Sequence, residues 1–136
     1  MKKFLLVTLC IAVIAAITLS GYLMKGYSQR RTLKAALNIN ELPDSLKILD
    51  YSDYGVSSFR AEFYLSIPPT QFDSLIKGRS YEARSASTSD LEQQAIHPPV
   101  KIFAPVVLCK WGTATNRTII FTNISKSLAY VVWDAN

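Results

Sequence analysis

Ser58–Ile67 reads SFRAEFYLSI, and its alternation decides the fold of the domain that contains it. Phe59, Ala61, Phe63 and Leu65 fall on one side of an extended chain, and Ser58, Arg60, Glu62, Tyr64 and Ser66 on the other. A period of two is the mark of a β-strand with one face turned to a core. Upstream, Leu46–Asp53 (LKILDYSD) reads as a second strand, and Tyr54-Gly55-Val56 supplies the turn of a hairpin between them. Downstream, Pro68-Pro69-Thr70-Gln71 opens a helix, since proline is tolerated in a first helical turn. Phe72, Leu75 and Ile76 then make one apolar stripe at helical spacing. Gly78 is placed to end that helix, with Lys77 favourable at the negative end of its dipole.

Further out, Arg79–Lys101 is polar and rich in serine and threonine, and reads as a long loop. Ser89-Asp90-Leu91-Glu92 has the form of a capping box, which predicts a short helix over Asp90–Ala95. The last third holds three β-branched and aromatic runs: Val106–Trp111, Thr118–Thr122 and Leu128–Trp133. Gly112–Asn116 and Asn123–Ser127 separate them with turn-forming residues. The expected order is ββ, α, loop, βββ. This is an α+β fold, a mostly antiparallel sheet with a helix packed on one face.

The other end of the chain sets the solvent. Phe4–Met24 (FLLVTLCIAVIAAITLSGYLM) holds twenty-one residues without a charge. A helix of that length covers roughly 30 Å, the thickness of a bilayer's hydrocarbon core. Phe4, Leu5, Leu6, Ile11, Val13, Ile14, Ile17, Leu19, Tyr22 and Leu23 are its expected lipid contacts. Lys2, Lys3, Lys25, Arg30, Arg31 and Lys34 are the expected lipid-surface cations, each drawn to anionic headgroups by about 1 kcal/mol. The boundaries read from sequence are a signal-anchor over 1–25, a basic juxtamembrane stalk over 26–44, and an α+β domain over 45–136. Leu33, Ala36 and Leu37 recur at helical spacing in the stalk, which Glu41-Leu42-Pro43-Asp44 ends.

The chain has 136 residues and a net charge of +5, and that excess is local. Residues 1–34 carry six basic residues and no acidic one; the remainder carries nine basic and ten acidic. A nucleic-acid-binding domain concentrates its positive charge on the folded part, so nucleic acid is not an expected partner. The two cysteines, Cys10 and Cys109, lie in the apolar segment and in a predicted strand, and no disulfide is expected between them.

Uncleaved anchoring fits the apolar length better than a cleaved export signal, whose best cut positions follow Ala16 or Ser20. Counting flanking charges favours a cytoplasmic C-terminal side. The Lys2-Lys3 start, followed at once by an apolar run, is the form of a bacterial export signal. We take the second as deciding. The expected location is the cell inner membrane, single-pass, with the C-terminal domain outside the cytoplasm.

Candidate chemistry is sparse. His97 is the single histidine and precedes two prolines. Ser74-Leu75-Ile76-Lys77 has the Ser-x-x-Lys spacing of a lysine-activated serine, without the companion motifs of such enzymes. Asp50, Asp53, Glu62, Glu82, Asp90 and Glu92 form no recognisable pair and are expected on solvated faces. No His, Cys, Asp or Glu cluster has metal-ligand spacing, and the glycines form no phosphate loop, so neither a metal nor a cofactor is expected. Asn116-Arg117-Thr118 and Asn123-Ile124-Ser125 match glycosylation sequons. Tyr51, Tyr54, Tyr64, Trp111 and Trp133 fit either a ligand groove or a core edge, and Cys109 a buried thiol. The expected function is a membrane-tethered, non-catalytic domain that binds a protein partner, with loop 79–101 and the aromatic strands as contact surfaces. The alternatives are a small envelope hydrolase using Ser74 or His97, and a secreted protein released by cleavage.

Overall fold

The computed structural model describes residues 2–55, 58–76, 82–87, 89–90 and 107–136. Two compact units are present, Met1–Arg31 and Thr32–Asn136.

The first unit is helical. It belongs to α1, which runs from Lys2 to Leu37. Ile11, Val13, Ile14, Ile17, Leu19, Tyr22 and Leu23 are all exposed. Among the described residues this is the one helix long and apolar enough to cross a membrane or serve as a signal sequence. Exposing such side chains to water forfeits about 1.5–3 kcal/mol each relative to an apolar surrounding.

The second unit is an α+β fold in the expected order. Its strands are β1 (Lys47–Tyr54), β2 (Phe59–Ser66), β3 (Glu82–Ser85), β4 (Val107–Gly112), β5 (Asn116–Thr122) and β6 (Leu128–Ala135), with helix α2 (Pro69–Ile76) between β2 and β3. They form one sheet in the order β1-β2-β6-β5-β4-β3, antiparallel at every step. The β1–β2 hairpin and the β4-β5-β6 meander were legible as local units. Their junction is the antiparallel pairing of β2 with β6, which makes β6 a central strand.

One face of the sheet holds the main core. Ala61, Phe63 and Leu65 of β2, Cys109 of β4, Ile120 of β5 and Val131 of β6 pack with Phe72, Leu75 and Ile76 of α2. The stripe expected on α2 is the stripe that is buried.

The same core takes in Leu33, Ala36 and Leu37 of α1 and Leu42 beyond it. The folded unit therefore includes much of the segment read from sequence as a stalk. The helix also ends earlier than the Pro43 signal. Asn38 sits at φ 50° and donates its N–H to Ala35 O at 3.0 Å, while Ile39 N–H reaches Lys34 O at 3.0 Å. This is the Schellman pattern, with asparagine in the left-handed position that glycine more often takes. Ile39 closes it by packing on the core.

A buried contact ties this helix end to the sheet. Thr118 Oγ1 donates to Ala36 O at 2.6 Å, supplying one of the carbonyls a helix terminus leaves open. Thr122 is equally buried on the same strand, and its Oγ1 has no partner among the described residues. The two threonines make a matched test. Thr118→Val is expected to cost about 1–3 kcal/mol by orphaning the Ala36 carbonyl, whereas Thr122→Val is expected to be neutral or mildly stabilising. Chemical denaturation of both variants reads the difference.

Two features depart from the sequence reading. Strand β3 lies inside the segment expected to be loop, pairing Glu82–Ser85 with Lys110–Val107. Four residues of alternating polar and small side chains give too weak a period to read. In addition, the second face of the sheet is not simply solvated. Leu108, Ile119, Phe121, Tyr130 and Val132 form a second buried cluster there.

The turns behave as their residues imply. Gly112 has φ 107°, and a Cβ there would sit 2.2 Å from Asn116 O and 2.8 Å from Arg117 Cα, both backbone atoms. Gly112→Ala is expected to lower stability by about 2–3 kcal/mol through forced movement of the β4–β5 turn, measurable as a reduced denaturation midpoint.

Candidate functional site

The second face carries, beside its apolar cluster, a polar group built from strands that are distant in sequence. Register places Arg60 of β2 and Arg117 of β5 on either side of Asp134 of β6. Arg60 donates from Nε to Asp134 Oδ1 at 2.6 Å and from Nη2 to Oδ2 at 3.2 Å. Arg117 Nε donates to Oδ2 at 2.7 Å. Burial raises the Asp134 pKa, but hydrogen bonds from Arg60 and then Arg117 outweigh it and hold the carboxyl below its ordinary value. The same pairing raises the Arg60 pKa.

One register step along, Glu62 is buried, contrary to the solvated position expected for it. Tyr130 OH donates to Glu62 Oε2 at 2.5 Å, and Arg60 Nη1 lies 3.9 Å from Oε1. The Tyr130 and Tyr54 phenols are both pushed well above the usual phenol range, by burial first and by hydrogen bonding to Glu62 second. Both therefore stay protonated and act as donors at neutral pH.

Two hollows adjoin this network and share Tyr54. The first, about 240 Å³, lies among Asp50, Tyr51, Ser52, Tyr54, Glu62, Tyr64 and Tyr130. The second, about 510 Å³, is reached from Arg60, Arg117 and Asp134. Of the aromatic residues singled out in the sequence, Tyr51, Tyr54 and Tyr64 line the first hollow. Tyr51 also packs against the main core, its ring tilted on Phe63 with centroids 4.9 Å apart, and Trp133 packs there against Phe59, edge-on at 5.4 Å. Trp111 also packs against that core.

Strand β1 borders the first hollow and is an edge of the sheet. Its register skips between Ile48 and Asp50, leaving Leu49 unpaired and half exposed. Asp50 Oδ1 accepts the N–H of Tyr51 at 2.9 Å. A bulge and a carboxylate that occupies a backbone donor are both devices that deter uncontrolled strand addition.

Ser74 Oγ donates to Gln71 O at 2.6 Å within α2, and Lys77 lies outside the described residues. His97, Gly78, Glu92, most of loop 79–101 and residues 91–95 of the expected Asp90–Ala95 helix also lie outside them. Asp90 is buried rather than solvated; Arg84 and then Ser87 hold its carboxyl well below the usual range. Cys10 and Cys109 are both free, and burial pushes the Cys109 thiol up, as suits an inert core residue.

Both sequons are occupied by structure. Asn116 Oδ1 accepts from Trp133 Nε1 at 3.0 Å, and the threonine of that sequon is the buried Thr118. Asn123 Oδ1 accepts the N–H groups of Ser127 and Leu128 at 2.9 and 3.1 Å, and its Nδ2 donates to Ser125 and Ser127. Among the described residues no group of three or more His, Cys, Asp or Glu is placed to hold a metal ion. Of the expected lipid-surface cations, Lys25 and Arg31 are exposed, while Arg30 and Lys34 are half-buried and Lys34 belongs to the folded unit.

Glu62 was singled out in the sequence as a candidate carboxylate; Arg60, Arg117, Asp134 and Tyr130 were not, because their pairing is long-range. Arg60, Arg117 and Asp134 become neighbours only once β6 is placed between β2 and β5. The one available signal was a charged residue near the end of each of three strands.

Comparisons with protein-family models, with curated proteins and with solved structures give no match to this chain.

Proposed function

We propose that this protein is a membrane-tethered, non-catalytic domain, exported to the cell envelope, that binds a protein partner there. The observation that carries the reading is the pairing of a helix uncharged over Phe4–Met24, and exposed from Val7 onward, with a separate compact unit beginning at Thr32. Lipid is the solvent that suits the first, and a tether raises the local concentration of the second near membrane partners. The irregular edge at β1, with Leu49 exposed beside a polar hollow, supports a contact surface on that side of the sheet.

The test is photo-crosslinking in cells, with a photoreactive residue at Leu49 on β1 and, as a control, at the exposed Lys110 on β4. A discrete adduct from Leu49 with an envelope protein is expected. Adducts confined to cytoplasmic proteins, or none from Leu49 when Lys110 is equally silent, would contradict the proposal.

A further inference from the structure

We infer that the hollow between β1, β2 and β6 receives a positively charged side chain, lysine or arginine, from a protein partner. This rests on the partner-binding reading and specifies its chemistry.

The size of the hollow is the first argument. At about 240 Å³ it falls below the roughly 300–1,000 Å³ of pockets that hold small-molecule ligands, and suits a single side chain. Its lining is the second. Asp50 and Glu62 bring negative charge, and Tyr54, Tyr64 and Tyr130 bring aromatic surface. Carboxylates with aromatic rings are the combination that attracts ammonium and guanidinium groups, at about 0.5–2 kcal/mol for each cation–π contact.

The surrounding charges leave the carboxylates of the hollow only partly compensated. Among the described residues Arg60 is the cation paired with Glu62, at 3.9 Å, and its Nε and Nη2 are directed to Asp134. Asp50 is exposed and forms no salt bridge among the described residues; its carboxylate takes only the Tyr51 N–H, a neutral donor. Tyr54 and Tyr130 keep their protons, so the negative charge resides on the carboxylates. An anion would meet repulsion in such a site, and a cation would not. The hollow also lies beside β1, an edge strand of the sheet, which among the described residues has no strand paired on its outer side.

The test is a titration of the full-length chain in nonionic detergent, followed by NMR of labelled tyrosines. The probes are N-acetyl-lysine amide, N-acetyl-arginine amide, tetramethylammonium and the uncharged isostere N-acetyl-norleucine amide. The lysine and arginine amides are expected to shift the Tyr54 and Tyr64 signals saturably, and norleucine amide is not. Asp50→Asn keeps the acceptor for Tyr51 N–H while removing the charge; it is expected to weaken binding about fivefold with an unchanged denaturation midpoint.

Equal shifts with norleucine amide, or wild-type affinity in Asp50→Asn, would overturn the proposal. So would saturable tetramethylammonium binding that lysine amide fails to displace, which would point to a small quaternary ammonium ligand instead of a partner's side chain. These probes report on the hollow alone. Silent crosslinks alongside a normal lysine titration would remove the protein partner and not the cation site, and the converse would remove the site and not the partner.

Discussion

A fragment beginning at Ser45 is expected to be unfolded, whereas one beginning at Arg31 folds cooperatively. Leu33, Ala36, Leu37 and Leu42 all lie in the main core, at 0%, 2%, 0% and 7% exposure. The three leucines alone represent about 5–9 kcal/mol of burial. That is comparable to the whole stability of an ordinary domain, about 5–15 kcal/mol. The shorter fragment also leaves Thr118 without the Ala36 carbonyl. Circular dichroism with urea denaturation distinguishes the two fragments, and equal midpoints would show that the helix end contributes nothing to the fold.

The second large effect is expected at Asp134. Its carboxylate is shared by Arg60 and Arg117, and Asp134→Ala leaves two half-buried guanidinium groups facing each other across β6. Loss of one member of such a network costs about 2–4 kcal/mol, somewhat less than for a fully buried pair. The network also sets a pH dependence. Asp134 has its folded pKa depressed below the ordinary carboxylate value, so its contribution is fully present above that value, near 3.8. It is lost as pH falls from there through the lower folded pKa. Asp90, held down by Arg84, contributes with the same sign. Acid titration of the wild-type protein is therefore expected to show stability falling below about pH 4, with a shallower slope in Asp134→Asn. An unchanged slope would place the acid sensitivity elsewhere.

Local pattern was enough for much of the architecture. Alternation in Ser58–Ile67 assigned Ala61, Phe63 and Leu65 to the core, and the stripe Phe72, Leu75, Ile76 placed the helix on that face. Both signals act within one element, where side-chain direction follows from backbone period alone. The end of α1 was harder. Leu33, Ala36 and Leu37 had the spacing of a buried face, but a helix leaving a membrane segment shows the same spacing whether or not a sheet covers it. Only Asn38 in the left-handed conformation ends it, and asparagine also occurs freely in loops.

The site was legible least of all. Glu62 and Tyr64 belong to the polar half of the alternation in β2, which by period reads as solvent-facing. Their burial comes from Tyr130 on the neighbouring central strand and from the second cluster beside it. Strand order fixes that proximity, and strand order here joins the first hairpin to the last strand of the meander across more than sixty residues, as the Glu62–Tyr130 bond records. Contacts at such separation carry no local signature.

Under the proposed function the chain remains uncleaved in the membrane and holds its domain outside the cytoplasm. Protease shaving of a C-terminally tagged chain tests it most directly, on carbonate-washed membranes and soluble fractions from intact cells and from cells whose outer barrier has been opened. A full-length membrane band is expected, degraded once the outer barrier is open while the inner membrane stays closed. A shortened soluble band, cut after Ala16 or Ser20, or a membrane band protected until the inner membrane breaks, would contradict it.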